Sequence, residues 1–222
     1  MKKLLFVIIA LAIAIPSMAQ TPKFHNDYYD CRMAAYAKMP IPENAMIWIG
    51  DSIVEQAWWE SLIKEKNLVN RGIGGDNTYG MLHRLPLYLD SSPRKIFIFA
   101  GINDISANYP VDDVFANFVA MVKMIQEKAP ECEIFIQSPI TPNNDVLAYA
   151  YIKNKQDKVQ ELNTRLEQMC KDMGVTWVDI RPVLHNEKGE IKEEYTKDGI
   201  HLYPAAYEAW VDYLKKMKYV RR

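Results

Sequence analysis

The 222-residue sequence has few cysteines, no surplus of basic side chains and, past its first twenty residues, no long apolar run. Each absence removes a class of protein. The three cysteines, Cys31, Cys132 and Cys170, allow at most one bond within the chain, so the fold is not a disulfide-built scaffold. No CxxC occurs, which removes a thiol redox motif and a sulfur-rich zinc site. The four histidines, His25, His83, His185 and His201, include no i, i+4 pair of the kind a helical zinc hydrolase uses. Lys and Arg number 27 against 28 Asp and Glu, so a nucleic-acid groove is not expected as the main function. No repeat, low-complexity tract or long linker divides the chain, and one domain is expected.

The first residues read as an export signal. Met1 to Lys3 is basic, Leu4 to Ile15 is apolar, and Ser17-Met18-Ala19 is a small-x-small cleavage site. The apolar run is too short to span a bilayer, which takes roughly 20 residues, so no stable membrane insertion is expected. Gln20 follows Ala19, which offers no cysteine for lipidation. Residues 1–19 are therefore expected to be removed, leaving 203 residues for a periplasmic or secreted protein. Residues 20–222 are read as one domain with a helical leader over 20–44.

The rest of the chain alternates strand and helix signals. Ala45 to Ile49, Leu68 to Asn70, Lys95 to Ala100, Cys132 to Gln137 and Val175 to Val178 are short apolar runs bounded by breakers, and read as five strands. Helices are expected over Asp27 to Lys38, Ile53 to Glu65, Thr78 to Leu85, Pro110 to Lys128, Tyr151 to Met173 and Pro204 to Lys218. Gly174 follows the long helix as a stop. Strand and helix repeat with short connections, which predicts a three-layer α/β domain around a parallel sheet.

In such a sheet the loops after the strands form the site. Gly50-Asp51-Ser52 follows the first strand, Gly72-Ile73-Gly74-Gly75-Asp76-Asn77 the second, and Gly101-Ile102-Asn103-Asp104 the third. Asp198 and His201 follow the fifth. Ser52 is the candidate nucleophile, at a strand-to-helix turn. His201 is the candidate base, and Asp198, three residues before it, can meet one ring nitrogen. The Gly75 N–H, the Asn103 amide and the Ser52 N–H can hold an oxyanion. Taken singly, Ser52 and Asn103 also read as caps, GIGG as a tight loop and His201 as a turn residue. The joint placement is the signal. GIGGDN lacks the spacing of GxGxxG and the Lys-Ser/Thr of a phosphate loop, GxSxG is absent around Ser52, and the aspartates have simpler roles in loop hydrogen bonds than in holding a metal. No cofactor and no metal are expected.

These four segments resemble the blocks of the SGNH or GDSL hydrolases. They appear in family order as Gly50-Asp51-Ser52-Ile53, Asn70-Arg71-Gly72-Ile73-Gly74-Gly75-Asp76, Gly101-Ile102-Asn103-Asp104 and Asp198-Gly199-Ile200-His201-Leu202, across roughly residues 46 to 215. The resemblance implies a flavodoxin-like sandwich with five parallel strands in the order 2-1-3-4-5. It assigns Ser52, Asp198 and His201 to catalysis and Ser52, Gly75 and Asn103 to the oxyanion hole. The GIGGD and GIND blocks look most like bacterial esterases similar to the catalytic subunits of platelet-activating-factor acetylhydrolase. Kinship and the export signal imply removal of short acyl groups, acetyl foremost, from a small-molecule or glycan ester. A lysophospholipase, thioesterase or broad arylesterase of the same mechanism is the alternative, and a non-catalytic envelope binding protein the third. Arg71, Asn77, Ile105, Asn143 and Asn144 are expected near the substrate rim. Cys132 and Cys170 are close enough in the expected fold to be weighed as a disulfide, against two buried free thiols. No oligomeric partner can be read.

Overall fold

The computed structural model describes residues 23–221, so the expected export signal lies outside the described residues. Among the described residues are five strands: β1 Met46–Gly50, β2 Leu68–Gly72, β3 Lys95–Phe99, β4 Glu133–Gln137 and β5 Thr176–Val178. Ten helices flank them: α1 Asp27–Tyr36, α2 Ser52–Glu55, α3 Trp59–Leu62, α4 Thr78–Arg84, α5 Pro86–Leu89, α6 Ile102–Ser106, α7 Val111–Lys128, α8 Gln156–Met173, α9 Arg181–Leu184 and α10 Pro204–Lys216. None is long and apolar enough to cross a membrane.

All strand pairs are parallel and the order is β2-β1-β3-β4-β5, as expected. Every residue of β1 is buried, because helices cover both faces of the sheet at its centre. Gly50 sits level with Gly72 on one side and Phe99 on the other. The loops after β1, β2 and β3 therefore leave the sheet at one rim. β1 lies between β2 and β3, so the chain departs from β1 and from β3 toward opposite edges, opening the crevice where α/β proteins bind ligands.

The aromatic core fixes the centre of the sheet. Trp48 stacks on Trp59 at 3.7 Å and on Phe97 at 4.5 Å between centroids, and Phe97 stacks on Phe135 at 4.4 Å. Trp59 is fully buried while its neighbour Trp58 is exposed.

Several boundaries differ from expectation, each for a local reason. The helix expected over Ile53 to Glu65 is two single turns. The Asn70 amide donates to the carbonyls of Val54, Glu55 and Ala57, and the Trp59 indole also donates to Val54, so those acceptors are withdrawn from a continuing helix. β2 runs on through Arg71 and Gly72, which were expected in the glycine-rich loop. Gly72 fits there because a Cβ would stand 2.3 Å from the Glu55 nitrogen. The helix expected from Tyr151 starts at Gln156, because Asn154 turns left-handed at φ 59° and leaves residues 150–152 as a separate 3₁₀ turn. Helices α5, α6 and α9 were not foreseen.

All three cysteines are free. Cys132 is half-buried and Cys170 buried, and burial pushes both thiols up to about 12.

Beneath the site rim lies a fully buried ion pair, Arg84 Nε to Asp76 Oδ2 at 2.9 Å. The same guanidinium donates to the carbonyls of Arg71 and Gly50, at 2.6 and 3.1 Å, and to the Tyr88 hydroxyl at 2.9 Å. Removing one member of such a pair leaves an uncompensated buried charge. Arg84→Met is expected to cost roughly 3 to 5 kcal/mol of folding stability, read by urea unfolding. A loss below about 1 kcal/mol would contradict the structural role given to this pair.

Candidate active site

Ser52 is the first residue of α2. Asp51 precedes it in an extended conformation, and its Oδ1 accepts the Ile53 N–H at 2.9 Å, a side-chain cap. The Ser52 N–H itself has no acceptor among the described residues, as expected at a helix start.

The chain returns to this point 149 residues later. His201 Nε2 lies 3.0 Å from Ser52 Oγ, and His201 Nδ1 lies 2.7 Å from Asp198 Oδ2. The other Asp198 oxygen accepts the backbone N–H of His201 at 2.8 Å and of Ile200 at 3.1 Å. Partial burial works to raise the Asp198 carboxyl, but the His201 ring and these two N–H groups outweigh it and hold it below the usual carboxylate range. An ionised Asp198 accepts from Nδ1–H, which leaves Nε2 of the neutral ring as an acceptor toward the serine hydroxyl.

Two further donors lie in the loops after β2 and β3. Gly75 is exposed at φ 75°, a left-handed conformation that favours glycine, and its N–H is unpartnered among the described residues. The Asn103 amide, on α6, donates one N–H to the Asp76 carbonyl at 2.8 Å and keeps its second. That bond ties the loop after β3 to the loop after β2. Thus the structure brings Ser52, Asp198 and His201 into one chain of contacts, and Asn103 and the Gly75 loop into another.

The expected rim residues behave differently, and this is a correction. Arg71 is buried, its Nη1 and Nη2 donating to the Asn70 and Met39 carbonyls and its guanidinium 4.7 Å from the Tyr36 ring. Ile105 is fully buried in the core. Asn77 caps α4, accepting from Tyr79 and Gly80, while its amide donates to Lys23. Asn143 is buried and bonds the Ile191 carbonyl and the Asp145 N–H. Asn144 is half-buried and spends its amide on Glu190 and its carbonyl on Asn154. These side chains shape the loops from beneath rather than face a substrate. The aromatic beside the histidine is one the sequence reading passed over. Tyr149 places its hydroxyl 3.4 Å from Asp198 Oδ2 and its ring edge-on to His201 at 6.1 Å. No spacing rule links it to His201, so nothing local could mark it.

A serine, a histidine and a carboxylate in line, beside free N–H donors at the carboxyl rim of a parallel sheet, is the arrangement shared by acyl-transferring serine hydrolases. The model of the GDSL-like lipase/acylhydrolase family matches residues 48–209, and the chain belongs to that family. It is 24% identical over 192 residues to the N-acylneuraminate cytidylyltransferase of Streptococcus agalactiae serotype III, covering 82% of this chain but 42% of that protein. The chain thus spans less than half the length of those relatives. It is 23% identical to the arylesterase of Vibrio mimicus, over 81% of this chain and 80% of that one. Among solved structures, a protein of Streptococcus pneumonia provisionally called a platelet activating factor is 29% identical, with a TM-score of 0.77 over 86% of this chain and 92% of that one.

Buried carboxylates underlie the rim. Asp104 accepts from the Thr78 N–H and hydroxyl, and burial pushes it up to about 6. Asp51 has one oxygen without a partner among the described residues. Burial, opposed by the Ile53 N–H but reinforced by the charges of Asp76 and Asp104, pushes Asp51 up to about 7. Its folded value thus exceeds its unfolded one, so the folded chain holds this proton more tightly, and the contribution of Asp51 to stability falls as pH rises from about 4 to about 7. Asp51→Asn keeps the cap and removes the charge. Across that window the variant is expected to gain on the wild type by an amount on the order of a few kcal/mol, read from unfolding midpoints at several pH values. Parallel pH–stability curves would contradict the expectation.

Proposed function

We propose that the chain is a serine esterase that hydrolyses short acyl esters, acetyl foremost, carried by carbohydrate, and that it works outside the cytoplasm after losing residues 1–19. The observation that carries the esterase reading is the unbroken line Asp198–His201–Ser52, at 2.7 and 3.0 Å. In the cycle, His201 Nε2 takes the Ser52 proton as Oγ attacks the ester carbonyl. The N–H groups of Ser52 and Gly75 and the free N–H of Asn103 hold the oxyanion. The tetrahedral intermediate expels the alcohol, which leaves with the proton from His201. Water then attacks the acyl-enzyme, giving its proton to His201, and the carboxylic acid is released as that proton returns to Ser52. Asp198 keeps the imidazole in the useful tautomer and stabilises its charged form.

Support for a sugar alcohol is aromatic and comparative. Tyr149 stands beside His201, and the exposed Tyr151 packs edge-on to it at 6.0 Å, giving a ring surface next to the base. The chain is similar to part of enzymes named for an N-acylated sugar acid. An apolar concavity of about 580 Å³ lies between α1 and α5, lined by Met33, Ile41 and Leu87 and not by Ser52 or His201, so it offers no acyl-chain tunnel to the nucleophile. A broad arylesterase is the second reading, favoured by the similarity to the Vibrio enzyme along four-fifths of both chains.

Turnover of p-nitrophenyl acetate by the wild type, abolished in Ser52→Ala with its unfolding midpoint unchanged, is the expected result. Comparable activity in that variant would end the mechanism, and no wild-type turnover would favour a binding protein. Asn103→Ala is expected to cost roughly 2 to 4 kcal/mol in kcat/KM, and a loss below about threefold would remove the amide from the oxyanion hole. Acetylated glycans, aryl esters of increasing acyl length and lysophospholipid, compared as substrates, separate the readings. Preference for aryl over glycan acetates would overturn the carbohydrate assignment.

A further inference from the structure

Glu55 ends the short helix that Ser52 begins. Its carboxylate is largely sheltered, with the side chain 15% exposed, and it points at the oxyanion loop. Oε2 accepts the Gly74 N–H at 2.7 Å, immediately before Gly75. Oε1 accepts the Tyr28 hydroxyl at 2.8 Å and lies 2.8 Å from Arg32 Nε. Both of those partners belong to α1. Arg32 also donates to the Tyr36 hydroxyl at 2.7 Å, which in turn donates to the Gly72 carbonyl at 2.5 Å. Helix α1 therefore holds the end of β2 directly at Gly72 and the glycine loop at Gly74 through Glu55. This helix lies outside residues 48–209, the part that the family model matches.

The packing around Gly74 shows how close this clamp is to the nucleophile. A Cβ at Gly74 would stand 2.9 Å from Glu55 Oε2, 3.2 Å from the Tyr28 ring and 3.9 Å from Ser52 Cβ. The peptide whose N–H Glu55 accepts is joined through Gly74 Cα to the next, which carries the Gly75 N–H. Glycine-rich backbone is otherwise free to rotate, and Gly75 itself has open space around it. A hydrogen bond to a carboxylate is short, directional and roughly twice as strong as a neutral one. An oxyanion donor is effective only if its direction is set before the charge develops.

We propose that Glu55 is a positioning residue for the Gly75 oxyanion donor, and that α1 is part of the catalytic apparatus because Tyr28 and Arg32 hold the Glu55 carboxylate in place. The proposal rests on the reading of this site as an esterase. Glu55 touches no reacting atom; it couples the helix of the nucleophile to the loop of the oxyanion donor and so keeps Ser52 Oγ and the Gly75 N–H in register. Its loss weakens binding of the developing oxyanion while leaving ground-state ester binding alone. The effect is thus expected in kcat rather than KM.

The test uses p-nitrophenyl acetate kinetics on the chain from residue 20 onward, with thermal unfolding and the amide spectrum of each variant. Glu55→Ala is expected to lower kcat by about 10- to 100-fold with KM within about threefold. Glu55→Gln keeps an acceptor for Gly74 and is expected to recover kcat to within about fivefold of wild type. Tyr28→Phe keeps the ring and removes one support, and is expected to lower kcat by about three- to tenfold at an unchanged midpoint. The Gly74 amide proton, downfield in the wild type, moves upfield in Glu55→Ala, a signature that does not depend on turnover. A wild-type enzyme that turns over ester while Glu55→Ala matches its kcat within threefold would overturn the proposal and leave the esterase reading standing. No wild-type turnover would overturn both. If Glu55→Ala fails to fold, Tyr28→Phe decides: unchanged kcat with an unmoved Gly74 amide would overturn the proposal.

Discussion

One buried guanidinium holds the site together. Arg84, on α4, donates to the carbonyl that ends β1 at Gly50, to the Arg71 carbonyl near the end of β2, and to the Asp76 carboxylate in the loop beyond. Those are the points where the segments that carry Ser52 and Gly75 leave the sheet. Backbone carbonyls at strand ends lose their ladder partners and, once buried, must find donors elsewhere. A planar fork with five donors meets several of them at once. Asp76 neutralises the fork, and its own carbonyl receives the Asn103 amide. The loops after β1, β2 and β3 are thus tied to a single charge.

This arrangement gathers negative charge under the rim. Asp51, Asp76 and Asp104 are all buried, and Arg84 pairs directly with Asp76. Burial drives all three carboxyls upward, whereas Asp198, nearer solvent and bonded to His201, is held down. Burial and hydrogen bonding thus move the carboxyls of this region in opposite directions. The one held low lies against the histidine. Those pushed up lie in the scaffold, where they cap helices and fix loops. Helix α1 completes the enclosure from outside the family-matched segment, through Glu55.

Much of this was legible in the sequence because it rests on local patterns. Five short apolar runs mark five strands; glycine-bearing loops after the first three hold Ser52, Gly75 and Asn103, and the Asp198–His201 pair follows the fifth. What failed depended on contacts between distant segments. Single-turn helices such as α6 are shorter than the period that reveals a helix. Arg71 looked like a rim residue because it follows a strand, but β2 is an edge strand, and the side chain lies against the Tyr36 ring of α1 with its nitrogens on the Asn70 and Met39 carbonyls. Asn77, Asn143 and Asn144 looked like a polar rim because an amide in a loop reads the same whether it faces solvent or caps a turn. Tyr149 and Glu55 gained their positions from the fold alone.

The most direct measurement is the covalent chemistry of Ser52. Treatment with a fluorophosphonate, followed by peptide mapping, traps the group that attacks an electrophile without any assumption about the natural ester. Stoichiometric labelling confined to the Ser52 peptide, and lost in His201→Ala, is the predicted result. An unlabelled protein, or a label on another residue with Ser52 free, would contradict the central claim that Asp198, His201 and Ser52 form a working nucleophile.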